Sequence, residues 1–183
     1  LVDLKYYGES CQIYQNDKTD NLMTNVLTDE QKKLRSTAEL NLNNIKDSSY
    51  VTCENRLVRF GTALRLNNAV EIAIPLNMTN VTLQELTFKV KLGSRNLTYT
   101  YAENPENFEK GKDGYWYFYF DGVYANQMSD EVLITAYKGT EQVSYTLKYS
   151  VESYAATVTD SKLKKVTDAM MRYGNSAKAY SGK

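Results

Sequence analysis

The aromatic run Tyr115-Trp116-Tyr117-Phe118-Tyr119-Phe120 carries the strongest chemical signal in this chain. A strand period of two sends Trp116, Phe118 and Phe120 to one face and Tyr115, Tyr117 and Tyr119 to the other. The first set suits a buried core. The second forms a row of phenols about 6.6 Å apart along the strand. Rigid rings with polar tips anchor a protein partner, or stack on sugar rings, at low entropy cost. Tyr99 and Tyr137 join the candidate ligand-binding set as cross-strand neighbours. The competing expectation is that such pairs lie beneath a flanking helix.

Other chemistry is largely closed. The 183 residues include no histidine and two cysteines, so Ser-His-Asp and Cys-His catalysis and imidazole or four-thiolate zinc sites are excluded. Asp17, Asp20 and Asn21 form a partial oxygen-ligand cluster without the carboxylates and turn glycine of a calcium loop. Glu103, Glu106 and Glu109 around Pro105 read as a solvated loop or one helical turn. Gly111 and Gly114 stand outside any strand-to-helix phosphate loop. The reading is therefore non-catalytic, with no cofactor and no metal. With 22 basic and 22 acidic side chains, no electrostatic drive toward nucleic acid exists. Sixteen tyrosines, well above ordinary usage, point instead to half-wet contact surfaces.

The elements that must position these residues follow from periodicity. Between 49 and 150 the pattern alternates, as in Leu86, Phe88, Val90 and Leu92 against Thr87, Lys89 and Lys91. Strands are expected over 50–60, 62–66, 70–76, 86–92, 97–101, 115–120, 132–137 and 143–149. Turns such as Gly93-Ser94, Lys112-Asp113-Gly114 and Asp121-Gly122 separate them. Seven or eight short strands of this kind predict an antiparallel, Ig-like β-sandwich. The ends read as helices. Leu163, Val166, Met170, Tyr173, Ala177 and Tyr180 fall on one helical stripe, with Asp160 or Ser161 as cap and Gly182 as stop. Leu4, Tyr7, Cys11 and Tyr14 repeat the spacing near the start. Thr28-Asp29-Glu30-Gln31 is a capping box for a short helix through about Arg35. The fold class is α+β, with a helical segment over 1–48, the sandwich over 49–150 and a closing helix over 151–183, packed as one module.

The longest apolar stretch is far shorter than the roughly 20 residues of a membrane helix, so no membrane insertion is expected. No charged n-region followed by an apolar h-region opens the chain, which fits a cytosolic protein or a module of a longer secreted one. Cys11 and Cys53 are expected as free thiols. The Asn-x-Thr patterns at Asn77, Asn80 and Asn96 are common by chance in a chain rich in both residues.

Tyr6-Tyr7-Gly8-Glu9-Ser10-Cys11 lines up with Arg172-Tyr173-Gly174-Asn175-Ser176-Ala177, and Tyr14 then matches Tyr180. The offset spans nearly the whole chain and suggests a tandem array. Further segments add to this: Asp20-Asn21-Leu22, the run from Leu27 to Lys32, Tyr119-Phe120-Asp121-Gly122, Gln127-Met128, the run from Leu147 to Ala155, and the run from Ala169 to Ala177. Together, in this order, they resemble a module repeated in very large secreted and cell-surface proteins of gut and rumen Firmicutes. Cys11 and the unbroken aromatic run depart from that pattern. The resemblance implies an extracellular or cell-surface bacterial setting, a sandwich with flanking helices, and no catalysis. The expected partner is an extracellular protein, from the host or a neighbouring module, with immunoglobulin-type domains as one target. The alternative is a glycan stacked on the tyrosine ridge.

Overall fold

The alternating middle of the chain forms antiparallel sheet, and both ends are helical. The structure, a computed structural model, describes residues 1–16, 20–42, 49–66 and 69–182. Asp17 and the expected boundary at 48 lie outside these residues. The chain divides into two units. A helical one comprises 1–45, 124–129 and 155–183, and a sandwich comprises 46–123 and 130–154.

The sandwich holds eleven strands among the described residues: β1 (Ser49–Val51), β2 (Val58–Phe60), β3 (Ala63–Leu66), β4 (Val70–Met78), β5 (Leu86–Leu92), β6 (Arg95–Thr100), β7 (Phe108–Lys110), β8 (Trp116–Phe120), β9 (Val132–Lys138), β10 (Glu141–Gln142) and β11 (Thr146–Tyr149). One sheet runs β1-β11-β9-β5-β6, with β10 on β9. The other runs β2-β4-β8-β7, with β3 on β4. The expected strand over 50–60 is in fact two. β1 pairs with β11 in one sheet and β2 with β4 in the other. β7 and β10, too short to show a period, raise the count above the seven or eight expected.

In β5, Leu86, Phe88, Val90 and Leu92 are buried, while Lys89 and Lys91 are exposed, as alternation requires. The β5–β6 hairpin closes through Gly93-Ser94, with Gly93 at φ 59°, a backbone state glycine enters without strain. The inner faces meet through aromatic rings. Phe88 lies 5.0 Å from Phe118, and Phe108 lies 5.4 Å from Phe88 and 5.2 Å from Phe118. Burying each such ring contributes about 2–3 kcal/mol, and each pair about 0.5–1.5 kcal/mol more.

The helical unit contains α1 (Val2–Asn16), α2 (Asp29–Lys32) and α4 (Ser161–Ser181); α3 (Val151–Thr157) is shared between the two units at 154/155. Thr28 and Gln31 form the expected capping box, but α2 stops at Lys32 and the chain continues as turns to Arg35. Asp160 caps α4, its Oδ1 accepting from the Leu163 amide at 2.7 Å, and Gly182 follows its last residue. Burial along α4 is wider than the expected stripe over 166–174, taking in Thr167, Ala169, Met171 and Gly174. The last turn has no buried residue, and Tyr180 is 83% exposed.

One of the pairs that align in sequence also meets in space. Tyr7 and Tyr173 stack with ring centroids 6.4 Å apart and planes 8° apart. Asp3, buried, accepts from Ser176 Oγ at 2.5 Å and from the Ser36 amide at 3.1 Å. Each of the matched glycines receives a methionine from a similar turn. A Cβ on Gly8 would strike Met23 Sδ of Asn21-Leu22-Met23-Thr24. A Cβ on Gly174 would lie 2.9 Å from Met128 Sδ, of Asn126-Gln127-Met128-Ser129, and 3.1 Å from the Ala125 carbonyl. The helix also holds the turn by a side chain in each case. Gln12 donates to the Asn21 carbonyl and accepts from the Met23 amide, and Lys178 donates to Ser129 Oγ.

Candidate functional site

Tyr117 and Tyr119 lie on the outer face of β8, and Tyr115 sits just before the strand. Phe118 and Phe120 are buried on the inner face, with Trp116 partly so. The neighbouring strand explains why the phenols stand proud. Tyr119 is opposite Ala73, and Tyr117 is opposite Pro75. One strand further, Ala63 is opposite Ala73, and the Gly61 amide donates to the Pro75 carbonyl at 3.0 Å. The tall rings therefore rise beside a floor of the smallest side chains.

Pro75 also accounts for the break between β2 and β3. Both keep one register along β4, but proline has no N–H to return the hydrogen bond from Gly61, so the ladder lapses there. A Cβ on Gly61 would come 2.6 Å from Pro75 Cγ, so glycine is what admits the pyrrolidine ring.

Two grooves flank Tyr117, and Asp113 lines both. One, of about 490 Å³, runs past Gly61, Pro75, Asn77, Arg59, Tyr115 and Tyr145. The other, of about 440 Å³, runs past Ala63, Ala73, Arg65, Lys112 and Tyr119. All these residues belong to the sandwich. The rings between them are held in place. Tyr117 OH donates to Asp113 Oδ2 at 2.6 Å, and a Cβ on Gly111 would lie 2.7 Å from the Tyr117 ring. The Arg65 guanidinium sits 3.4 Å above the Tyr119 ring and is itself held by Glu71 and by Glu109. Such a contact contributes about 0.5–1 kcal/mol when exposed. Asn107 Nδ2, on a buried side chain, donates to the Tyr119 carbonyl at 2.8 Å and fixes the strand backbone. The two ring planes lie 13° apart with centroids 5.9 Å apart. Tyr115 remains 48% exposed.

The electrostatics keep Tyr117 and Tyr119 un-ionised. The hydrogen bond to Asp113 pushes the Tyr117 phenol up and holds the Asp113 carboxyl below its usual range. Burial pushes Tyr119 up against the opposing pull of Arg65. All the shifted phenols stay protonated donors at neutral pH.

Of the residues singled out by sequence, Tyr115, Tyr117 and Tyr119 come together and Tyr99 and Tyr137 do not join them. Tyr99 is opposite core Phe88, and its ring packs 5.2 Å from Phe118 on the inner side. Tyr137 lies in β9 of the other sheet, with Lys89 Nζ 4.2 Å from its ring centroid. Periodicity alone did not reveal Arg65, Asp113, Gly61, Pro75 or Tyr145. Asp113 was within reach, since its Lys-Asp-Gly turn precedes the ridge by two residues. Among the described residues no cluster could hold a metal ion, both cysteines are free, and no helix is long and apolar enough to cross a membrane. Comparisons with family models, with curated proteins and with solved structures give no match.

Proposed function

We propose that this chain is a non-catalytic protein-binding module of a secreted or cell-surface bacterial protein. It docks an extracellular partner, from the host or a neighbouring module, on the tyrosine ridge. One observation carries the reading: three phenols stand in a row along two open grooves, and two of them are held by neighbouring side chains, Tyr117 by Asp113 and Tyr119 by Arg65. Rings fixed in advance lose little entropy on binding, and flanking grooves accept a partner's side chains. Immunoglobulin-type domains are a suitable target class, because their folded surfaces present side chains to such grooves. The extracellular setting rests on the resemblance described above.

A carbohydrate-binding reading is favoured at one place. At the Tyr115 end, Asn77, Arg59 and Asp113 line the same groove as an exposed phenol and supply hydroxyl-binding groups. At the other end, Arg65 covers one face of Tyr119 and removes it from sugar stacking, which is why a protein partner ranks first.

The test is a triple variant, Tyr115→Ser, Tyr117→Ser and Tyr119→Ser, compared with the parent chain. Both are run over immobilised immunoglobulin and intestinal secretions, and on a glycan array. The expected outcome is a variant that keeps the parent's circular-dichroism spectrum but melts somewhat lower, loss of protein retention by the variant below that melt, and blank arrays for both. Retention that survives the substitutions sinks the ridge, and an array signal that they abolish reassigns it to glycans.

A further inference from the structure

We infer that the helical unit carries a second binding site, independent of the ridge, for an acidic polypeptide segment. A cleft of about 450 Å³ opens between α1 and α4. Four cations line it: Arg35, from the turn after α2, and Lys162, Lys165 and Arg172 from α4. The chain as a whole has a formal net charge of zero, so this concentration is local.

Of the two carboxylates in the cleft, Asp168 is paired, its Oδ1 held at 3.1 Å by Lys164 from outside the cleft, while Glu9 accepts from the neutral Thr24 hydroxyl. The arginines are likewise held by neutral groups. Arg172 donates through Nη1 alone to the Ser36 and Ala38 carbonyls, and Arg35 lies 4.0 Å over the Tyr6 ring. Neither has a carboxylate partner among the described residues. Both guanidinia are thus positioned without being neutralised, ready for fork-shaped contacts to carboxylates.

Lys162 sits in the first turn of α4, which contains no acidic residue, and Lys165 follows it. The helix dipole favours an anion at this end of α4. The remaining wall is apolar. Ile13 and Tyr14 line the cleft and are 37% and 45% exposed. A free oxyanion has no use for that wall, whereas a peptide with glutamates beside a leucine or aromatic residue fills both parts.

The probe is a labelled peptide of alternating glutamate and leucine, titrated by fluorescence anisotropy against the full chain. Controls are the same peptide with glutamine for glutamate, and inorganic pyrophosphate. The proposal expects saturable binding of the glutamate peptide that weakens as salt rises. It also expects a loss of about tenfold or more in the double variant Lys162→Glu, Lys165→Glu. A circular-dichroism spectrum matching the parent's shows that this variant is folded, and Lys165→Glu alone should weaken binding in the same direction. The ridge variant should bind the peptide normally, which separates this site from the ridge. Equal binding of the glutamine peptide, displacement by pyrophosphate at matching affinity, or no effect of charge reversal each overturns it.

Discussion

The two glycines that align in sequence, Gly8 in α1 and Gly174 in α4, solve one packing problem under different constraints. Each leaves a hole in a helix surface, and each hole takes a methionine from an Asn-x-Met turn. At Gly174 the hole is rigid on two sides. Met128 is 5% exposed, and the Ala125 carbonyl at 3.1 Å is backbone and cannot rotate away. At Gly8 the three nearest atoms all belong to the side chain of Met23, a residue 38% exposed and so freer to swing than Met128. One motif therefore makes a fixed joint at α4 and a yielding one at α1. Sequence similarity marks the shared geometry. Burial decides how much stability rests on it.

Three substitutions break or sharpen this contrast. The largest effect should come from Met128→Ala, which empties a buried socket. Urea unfolding should show a loss of about 2–4 kcal/mol, and a loss below about 1 kcal/mol would mean that Met128 is not the plug. Gly174→Ala should follow. Adding a methyl against a backbone carbonyl typically costs about 1–3 kcal/mol, and the better helix propensity of alanine offsets about 1 kcal/mol of it. The expected net change is a loss of up to about 2 kcal/mol. The smallest belongs to Gly8→Ala, where the clash is with a movable side chain and the propensity gain remains. Its melting temperature should stay unchanged or rise, and a drop as deep as that of Gly174→Ala would erase the distinction between the joints.

Local pattern made much of this fold legible. Alternation over 86–92 correctly sorted buried Leu86, Phe88, Val90 and Leu92 from exposed Lys89 and Lys91, because burial on one face leaves a direct trace. Asp160, the capping box at Thr28 and the Gly93-Ser94 turn likewise acted as local rules require. What escaped was partnership. Tyr50 to Phe60 looks uniform along the chain, yet its two ends join different sheets, a choice made by β11 and β4 far away in sequence. Tyr137 faces outward as its neighbours Ile134 and Ala136 imply, but on the wrong sheet for the ridge. Tyr99 shares its alternation with Leu97, which marks it as inward-facing; its phenol drew it into the candidate set, but the hydrophobic phase of the strand placed it. At the ridge, the three tyrosines were readable. Arg65, by contrast, reaches Tyr119 from across an intervening strand, a contact that periodicity within a single strand does not encode.

The floor beside the ridge has a consequence for how such a surface drifts in evolution. Relief on a sheet is a difference in height, and here the low ground is Gly61, Ala63, Ala73 and Pro75. A bulkier residue at any of these would level the terrain while every tyrosine stayed in place. The contour that a visitor reads is thus guarded by the four side chains with the least chemistry of their own.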